Sequence, residues 1–589
     1  MNAKKGDHGE GTSVKTAAVS VVGDGRDGRE QEGMIFWIAL VGTVLLMALS
    51  TGCGQEEAVG EPAPDPKSGV FTFPALQTDV PLYELSIPLE TMAKFEANPY
   101  EDEHPATFVF EGKRYSVGVR LRGSSSRFFP KKSWRIEFPK GTAFDGRRKH
   151  NLVAEFQDRT MMAEKLAFDS MLAMGLPAPV TKYVRLSING QYQGVFLDIE
   201  RVDNSFAEAH GFEDPDPTIY RCGAKDCEMK LWRTDYQQDW QKETNEEKEP
   251  GKDDIRTLMN VINRAPEPDF AWMLGENIEL EHYLRTMAAE VLISNNISED
   301  SQSYFIHDRV THKWTYVAWD LNNADARWWP TYGLGMKPVV DHPLFPFSLA
   351  DQWVEKMYLK RNTRPDFLPT FSNLNTRILY NPELRERLFA VVEKSLTELF
   401  DPAVIEPRLD AMHQLIAPHM EADPYLRLND VGQPDPDGLA KFHEGLPFLK
   451  AYAQQRTAFV RRELERFRTT PATSFRLNAV NPSEGWVELH NPTAQTLSTE
   501  GLVLSADLRR TIPALRQPGT STVLPERRIP PQGTVRFTRE ELGFTLPLDG
   551  ELGLFDGVSV VGVKDVLFYT ALPSDGTYVR GEGARWEIR

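Results

Sequence analysis

An aspartate stands at the end of a short, mostly apolar run, Trp314-Thr315-Tyr316-Val317-Ala318-Trp319-Asp320, with Leu321, Asn322 and Asn323 just beyond it. A carboxylate leaving a buried strand can reach into a cleft while its backbone stays fixed by the sheet. Hard cations such as Mg²⁺ favour that arrangement, because they take oxygen ligands and bridge to phosphate oxygens. The same pattern also serves ordinary turn chemistry. Upstream, Arg120-Leu121-Arg122-Gly123-Ser124-Ser125-Ser126 offers a small hydroxyl-rich loop. Lys131 and Lys132 then open Ser133-Trp134-Arg135-Ile136-Glu137-Phe138. Such a loop can bring backbone N–H groups close to an anion, and a lysine adds a point charge. Taken alone, this is equally a solvated basic hairpin, and neither Gly-rich phosphate loop is present.

Other chemistry finds less support. Cys222 and Cys227, in Arg-Cys-Gly-Ala-Lys-Asp-Cys, could close one small disulfide loop outside the cytoplasm, and no zinc spacing surrounds them. His307 and His312 lie beside a turn without a second ligand in a metal spacing. No Ser-His-Asp or Cys-His set recommends a hydrolase. The net charge of -18 over 589 residues provides no basic excess for neutralising phosphates, which argues against a nucleic-acid partner.

The elements that must position these residues can be read from periodicity. Residues 80–138 alternate apolar and polar positions with turn signals and read as strands. Residues 158–174 carry helical spacing, and Asp158 reads as the cap of that helix. Residues 183–200 form a hairpin turning at Asn189-Gly190, among the strongest short-range signals available. The charged stretch 235–253 reads as a surface excursion. Helices are expected over 254–264, 280–294 and much of 375–468, and residues 314–319 as the strand before Asp320. After Arg468-Thr469-Thr470-Pro471 the texture changes to short strands with prolines and glycines, as in a small β-sandwich.

At the N-terminus an apolar run over 34–51 leads into Gly52-Cys53-Gly54. This resembles a bacterial lipoprotein signal with Cys53 as the lipidated residue. About 18 apolar residues can also just span a bilayer as a plain helix. Either reading puts the rest of the chain outside the cytoplasm, on a lipid anchor or an N-terminal membrane helix, in the cell envelope. The reading divides the chain into a tail and anchor at 1–53, a linker at 54–79, one domain at 80–470 and another at 471–589.

The ordered succession of R-L-R-G-S-S-S, K-K-S-W-R-I-E-F, Asp158 before a helix, S-I-N-G-Q-Y-Q-G-V-F-L-D-I-E-R-V-D and W-D-L-N-N resembles the CotH family of atypical protein kinases. The resemblance implies an α+β chain with a divergent, bilobal protein-kinase-like fold. It also implies transfer of the ATP γ-phosphoryl, with Mg or Mn, to Ser/Thr of a protein substrate. Carried over by position, Lys132 or Lys131 would hold ATP phosphates, flanked by Arg122 and the Ser124–Ser126 loop. Glu200 would sit near the nucleotide pocket. Asp320 would be the metal-binding acid, with Asn322 where a second acid sometimes stands. The segment Ser294-Asn295-Asn296-Ile297-Ser298-Glu299-Asp300-Ser301-Gln302-Ser303 departs from the family pattern. Ser303 takes the expected Asn position, and counting back meets Asn295, Asn296 or Ser298, none of them acidic. Asp300 or Glu299 could serve as base by a shift of the loop. Both departures point toward a pseudokinase that binds or scaffolds.

The tail, with Gly485-Trp486-Val487-Glu488-Leu489-His490-Asn491-Pro492, resembles a lamin-tail domain. That implies an immunoglobulin-like all-β sandwich used in binding or anchoring, with Trp486 in its core.

Overall fold

Seven strands close on themselves at the N-terminal end of the computed structural model. In chain order they are β1 (Leu82–Ser86), β2 (His104–Phe110), β3 (Lys113–Leu121), β4 (Trp134–Glu137), β5 (Lys149–Val153), β6 (Thr181–Ile188) and β7 (Gln191–Ile199). Around the barrel their order is β1-β2-β3-β4-β5-β7-β6, antiparallel throughout except for the parallel β1–β6 closure. Closure removes every free edge. Helix α1 (Leu89–Ala97) joins β1 to β2, and α2 (Ala163–Ala173) lies between β5 and β6. The interior holds Tyr83, Phe108, Phe138, Phe144 and Trp134, packed largely edge to face. The β6–β7 turn is the expected one, with Asn189 at φ 51° and Gly190 at φ 77°.

The structure describes residues 69–222, 229, 240–248, 250–295, 302–321, 340, 341, 344, 372–469, 474–508, 519–556, 562–573 and 576–589, without the side chains of 125, 562, 563 and 583. Cys53, Cys227, Asp300 and Asn322 lie outside them, as does the apolar run over 34–51. No helix among the described residues is long and apolar enough to cross a membrane. Cys222 is disulfide-bonded.

Beyond the barrel, a second sheet runs β11-β10-β8-β9, with β8 (Thr218–Cys222), β9 (Trp240–Lys242), β10 (Gln302–Asp308) and β11 (Lys313–Trp319). Strand β9 anchors the expected surface excursion, whose described residues after Trp240 are exposed or half-buried. Trp240 is fully buried against Phe305, its ring 5.1 Å away, so an apolar anchor overrides the charged flanks. After α3 (Asn204–Ala209), the helices around this sheet are α4 (Asp253–Arg264), α5 (Phe270–Asn277), α6 (Leu280–Leu292), α7 (Asn373–Tyr380), α8 (Pro382–Glu398), α9 (Pro402–Met420) and α10 (Gly438–Thr469). They share one apolar core with the sheet and with α2. Asn381 and Asp401 cap α8 and α9 through their side chains, each with a proline in the first turn.

The connection between α9 and α10 grips the barrel. Asp423 pairs with Lys131 at 2.7 Å, both nearly fully buried, and Lys131 also donates to the Val195 carbonyl. Tyr192 donates to the His419 carbonyl and Tyr425 to Gln193. Gly194, at φ 97°, permits this approach, because a Cβ there would sit 1.9 Å from the Asp423 carboxylate.

The C-terminal region forms two further sheets over one core. One has the order β18-β13-β12-β21-β22 and the other β16-β15-β19-β20. Their strands are β12 (Arg476–Asn481), β13 (Trp486–His490), β15 (Leu502–Ser505), β16 (Ser521–Val523), β18 (Thr534–Phe537), β19 (Gly550–Asp556), β20 (Gly562–Tyr569), β21 (Tyr578–Arg580) and β22 (Trp586–Ile588); β14 (Leu497–Ser498) and β17 (Arg528–Ile529) pair separately. Trp486 is not in that core. Strand alternation turns Val487 and Leu489 inward, leaving Trp486 outside under the Arg536 guanidinium at 3.6 Å. The sheets dock on the helices through Arg377 of α7. Its guanidinium donates to the carbonyls of Ile262 and Ala265 and to Glu267, lies 3.8 Å over Phe270, and reaches Phe568 of β20.

Candidate functional site

Asp320 follows β11 directly, and its backbone is left-handed, φ 61°, a conformation that non-glycine residues rarely adopt. Gln302, at the start of β10 and paired with Trp319 in register, donates to Asp320 Oδ2 at 2.6 Å. Arg221 of β8 donates in turn to Gln302 Oε1 at 2.6 Å. Three neighbouring strands therefore supply a chain of polar groups that ends on the acid.

The opposite wall comes from the barrel and α2. Glu164, in the first turn of α2, accepts the Leu321 backbone N–H at 3.0 Å and so ties down the segment after Asp320. Arg122 leaves the end of β3, its own N–H held by the Ser133 carbonyl. Burial pulls the Arg122 pKa down, while the carboxylates of Glu164, Asp320 and Glu155 act against that shift. Glu155, just past β5, is 6% exposed with φ 43°, and its carboxyl lies against that of Glu164. Burial, then the neighbouring Glu164 carboxyl, pushes Glu155 well above the usual carboxylate range. Burial also pushes Glu164 up to about 7, with Asp320 adding to the rise and Arg122 opposing it. Beside Glu155 is a cavity of about 20 Å³, the size for one water, which Lys131, Asp158 and Asp423 also line.

The expected site residues divide into those that meet here and those that do not. Arg122 and Asp320 converge. Lys131 points to Asp423 instead, for the reason given by its burial: an ammonium enclosed at that depth requires a carboxylate partner. Lys132 is turned back on the preceding loop, donating to the Arg127 carbonyl at 2.7 Å. That loop is a short 3₁₀ turn, Ser125–Phe128, with Ser124 ahead of it. Arg127 bonds the Gly123 and Pro99 carbonyls there. Glu200 accepts from the Val180 N–H and from His210 at 3.0 Å, and lies with Arg147 rather than with Asp320. Asp158 does cap α2, accepting from Thr160 and from the Ala163 N–H. Ser303 turns into the core on the face of β10 opposite Gln302, so Gln302 is the amide that meets the acid. His307 stacks on Trp314 at 4.3 Å.

Glu155 and Glu164 were missed by the sequence reading. Glu164 lies in the first turn of α2, a helix buried at every position but Leu172, and a charged residue in a mostly buried helix is a signal that was available. Nothing local marks Glu155.

A barrel joined to a helix-covered sheet thus brings one acid at the strand end beside an arginine and two buried glutamates. The family model "CotH kinase protein" matches residues 119–460, and the chain belongs to the CotH family. It is similar to the inner spore coat protein H of Bacillus subtilis (strain 168), 25% identical over 384 residues, covering 62% of this chain and 95% of that protein. It also resembles the invasin CotH2 of Rhizopus delemar, 22% identical over 345 residues, covering 55% of this chain and 54% of that one.

Proposed function

We propose that this chain is an exported protein kinase that transfers the ATP γ-phosphoryl to Ser/Thr of envelope or surface proteins. The observation that carries the reading is the convergence of Arg122, Glu164 and Asp320 around the segment after β11, in a chain of the CotH family. In this reading the barrel and the helical region are the two lobes of a divergent kinase fold. Bound Mg²⁺ or Mn²⁺ would supply charge neutralisation on the phosphates, and the carboxylate oxygens of Asp320 suit such hard cations. Asp320 holds the cation side of the cleft, Arg122 faces the phosphate charge, and Glu164 fixes the backbone that aims Asp320. Phosphoryl transfer asks mainly for this positioning and neutralisation. Asp300 is the base in this scheme. The names of the spore-coat and invasin relatives support an envelope or surface location, with Cys53 as lipid anchor. The lamin-tail-like region then serves as a binding module.

A second reading, a kinase fold kept for binding alone, is favoured by two contacts. The Gln302 amide already occupies an oxygen of Asp320, and Lys131 is engaged elsewhere. Incubation of the full chain with labelled ATP and Mg²⁺ or Mn²⁺ separates the two. Label incorporation should fall roughly 10²–10³-fold in Asp320→Ala, as for other charge-stabilising groups. No incorporation, together with no nucleotide-dependent thermal shift at millimolar ATP, overturns the kinase reading.

A further inference from the structure

A cavity of about 260 Å³ lies beside the start of β12, in the C-terminal sheets. That is just under the roughly 300–1,000 Å³ of pockets that take drug-sized ligands, so it has room for one small ring or one residue. Arg476, Leu477, Asn478, His490, Pro492 and Arg580 make most of its wall. None of the described residues that line it is acidic.

Local structure explains how these side chains come together. Arg476 and His490 stand opposite each other in the β12–β13 register, on the face turned away from the core, because Leu477 and Leu489 take the inward positions. Leu477 pairs with Leu489 and Ala479 with Glu488, so Asn478 is an extra residue, a β-bulge in β12. Bulges re-aim a side chain at the cost of a ladder position, and they collect next to sites of function. Arg580, at the end of β21, is fixed from several sides. It donates to the Leu477 carbonyl at 2.9 Å, to the Ala584 carbonyl at 2.8 Å and to Asp565 at 2.6 Å, and lies 4.3 Å over the Trp586 ring. A guanidinium held in this way is preorganised, so it loses little rotamer freedom on meeting an anion.

The acids around the cavity are taken up by other groups. Asp565 accepts the Leu477 N–H as well as Arg580. Glu488 accepts from Asn478 and Arg536, and Glu587 from Arg589. Burial pulls the Arg476 pKa down; Asp565 opposes that shift, and Arg580 and Arg385 of α8 add to it. Like charges are therefore crowded at this end of the sheets, and an anion in the cavity would relieve them. Asp565 offsets the charge of Arg580, so the excess that is left suits a monoanion better than a doubly charged phosphate. The apolar edges of Leu477 and Pro492, beside the polar His490 and Asn478, suit a ligand body with both hydrocarbon and polar groups.

We propose that this cavity binds a small organic carboxylate, a monoanion with a body the size of one sugar acid or one amino acid. Arg476 takes the carboxylate in the forked geometry that guanidinium and carboxylate share, and His490 and Asn478 orient the body. The proposal rests on the reading of the C-terminal sheets as a binding module, to which it gives a ligand class, and is independent of phosphotransfer.

The test is a ligand-observed NMR titration of the full chain with glucuronate, N-acetylalaninate, glucose and inorganic phosphate. At least one of the two carboxylates should bind and glucose should not, and the carboxylate that binds more tightly identifies the body. Arg476→Gln should weaken carboxylate binding about tenfold or more, the size expected for losing a charge-assisted hydrogen bond. Arg476→Lys keeps the charge without the fork and should weaken it too. Should Arg476→Gln fail to fold, His490→Ala, at the position opposite, should show a loss of its own. Tighter binding of phosphate than of either carboxylate, equal binding of glucose and glucuronate, or unchanged carboxylate affinity in the folded variants overturns the proposal. The first two of these results leave the C-terminal sheets a binding module for another ligand. No binding of any probe overturns this site together with the module reading.

Discussion

Glu290 of α6 shows how burial alone sets a residue's behaviour. It lies inside the helical region near Tyr283 and Tyr316, and burial pushes its carboxyl up to about 8. The folded protein therefore holds a proton there that the unfolded chain, with an ordinary carboxyl, releases. Stability from this group is fully present below the unfolded pKa and falls as pH rises toward the folded one. By linkage the loss is of the order of 3–5 kcal/mol between about pH 4.5 and pH 8. Glu290→Gln should remove most of that slope. Denaturant melts should find the variant equal to wild type near pH 5 and more stable near pH 9; parallel pH profiles would contradict the assignment. Asp198 shows the opposite balance. Burial would raise it, but His150 at 2.8 Å and Arg147 at 2.9 Å hold it below the usual carboxylate range.

At the scale of elements, the connection after α9 does what the lysine motif was expected to do for a ligand: it takes up the charge of Lys131. A buried pair broken on one side leaves an uncompensated charge, which costs about 3–5 kcal/mol. Asp423→Ala should lose that amount in urea unfolding. The double variant Lys131→Met/Asp423→Leu should recover most of it, because no charge then remains buried. If the single and double variants lose the same amount, the pair is not what binds this connection to the barrel. Gly194→Ala attacks the same contact from β7. Its Cβ would meet the Asp423 carboxylate and its backbone would need a left-handed φ, so it should cost at least about 1–2 kcal/mol more than an ordinary surface glycine.

For the whole molecule, the C-terminal sheets are fastened to the helices rather than strung behind them. Tyr380 packs against Val503, Phe555 and Phe568, and Arg377 sits fully buried between α4, α5 and β20. Calorimetry should therefore find residues from the barrel to Arg589 unfolding in one transition. Arg377→Ala should split it in two, with the sheet region melting separately. A single unchanged transition in that variant would show that the apolar contacts alone couple the two regions.

How much could be read beforehand varied with how local the cause was. The Asn189-Gly190 turn, the capping role of Asp158, the helices over 375–468 and the strand before Asp320 rest on neighbours a few residues apart. Sequence spacing carries that kind of information directly. Family membership was legible too, because it depends on the order of motifs along the chain. The site was only half legible. Arg122 and Asp320 announce themselves by type and position, but Lys131 and Lys132 look alike in sequence. Only the return of Asp423, 292 residues later, separates them by burying one. Ser303 and Gln302 differ only in which face of β10 they occupy, and counting along a motif is blind to a one-residue change of face. Glu155 carries no local mark at all. What the sequence by itself determined is the local elements and the succession of motifs, since both follow from short-range sterics and periodicity. The tertiary structure alone decided which charges are paired, which are enclosed and which are left facing Asp320, because those are outcomes of contacts between segments far apart in the chain.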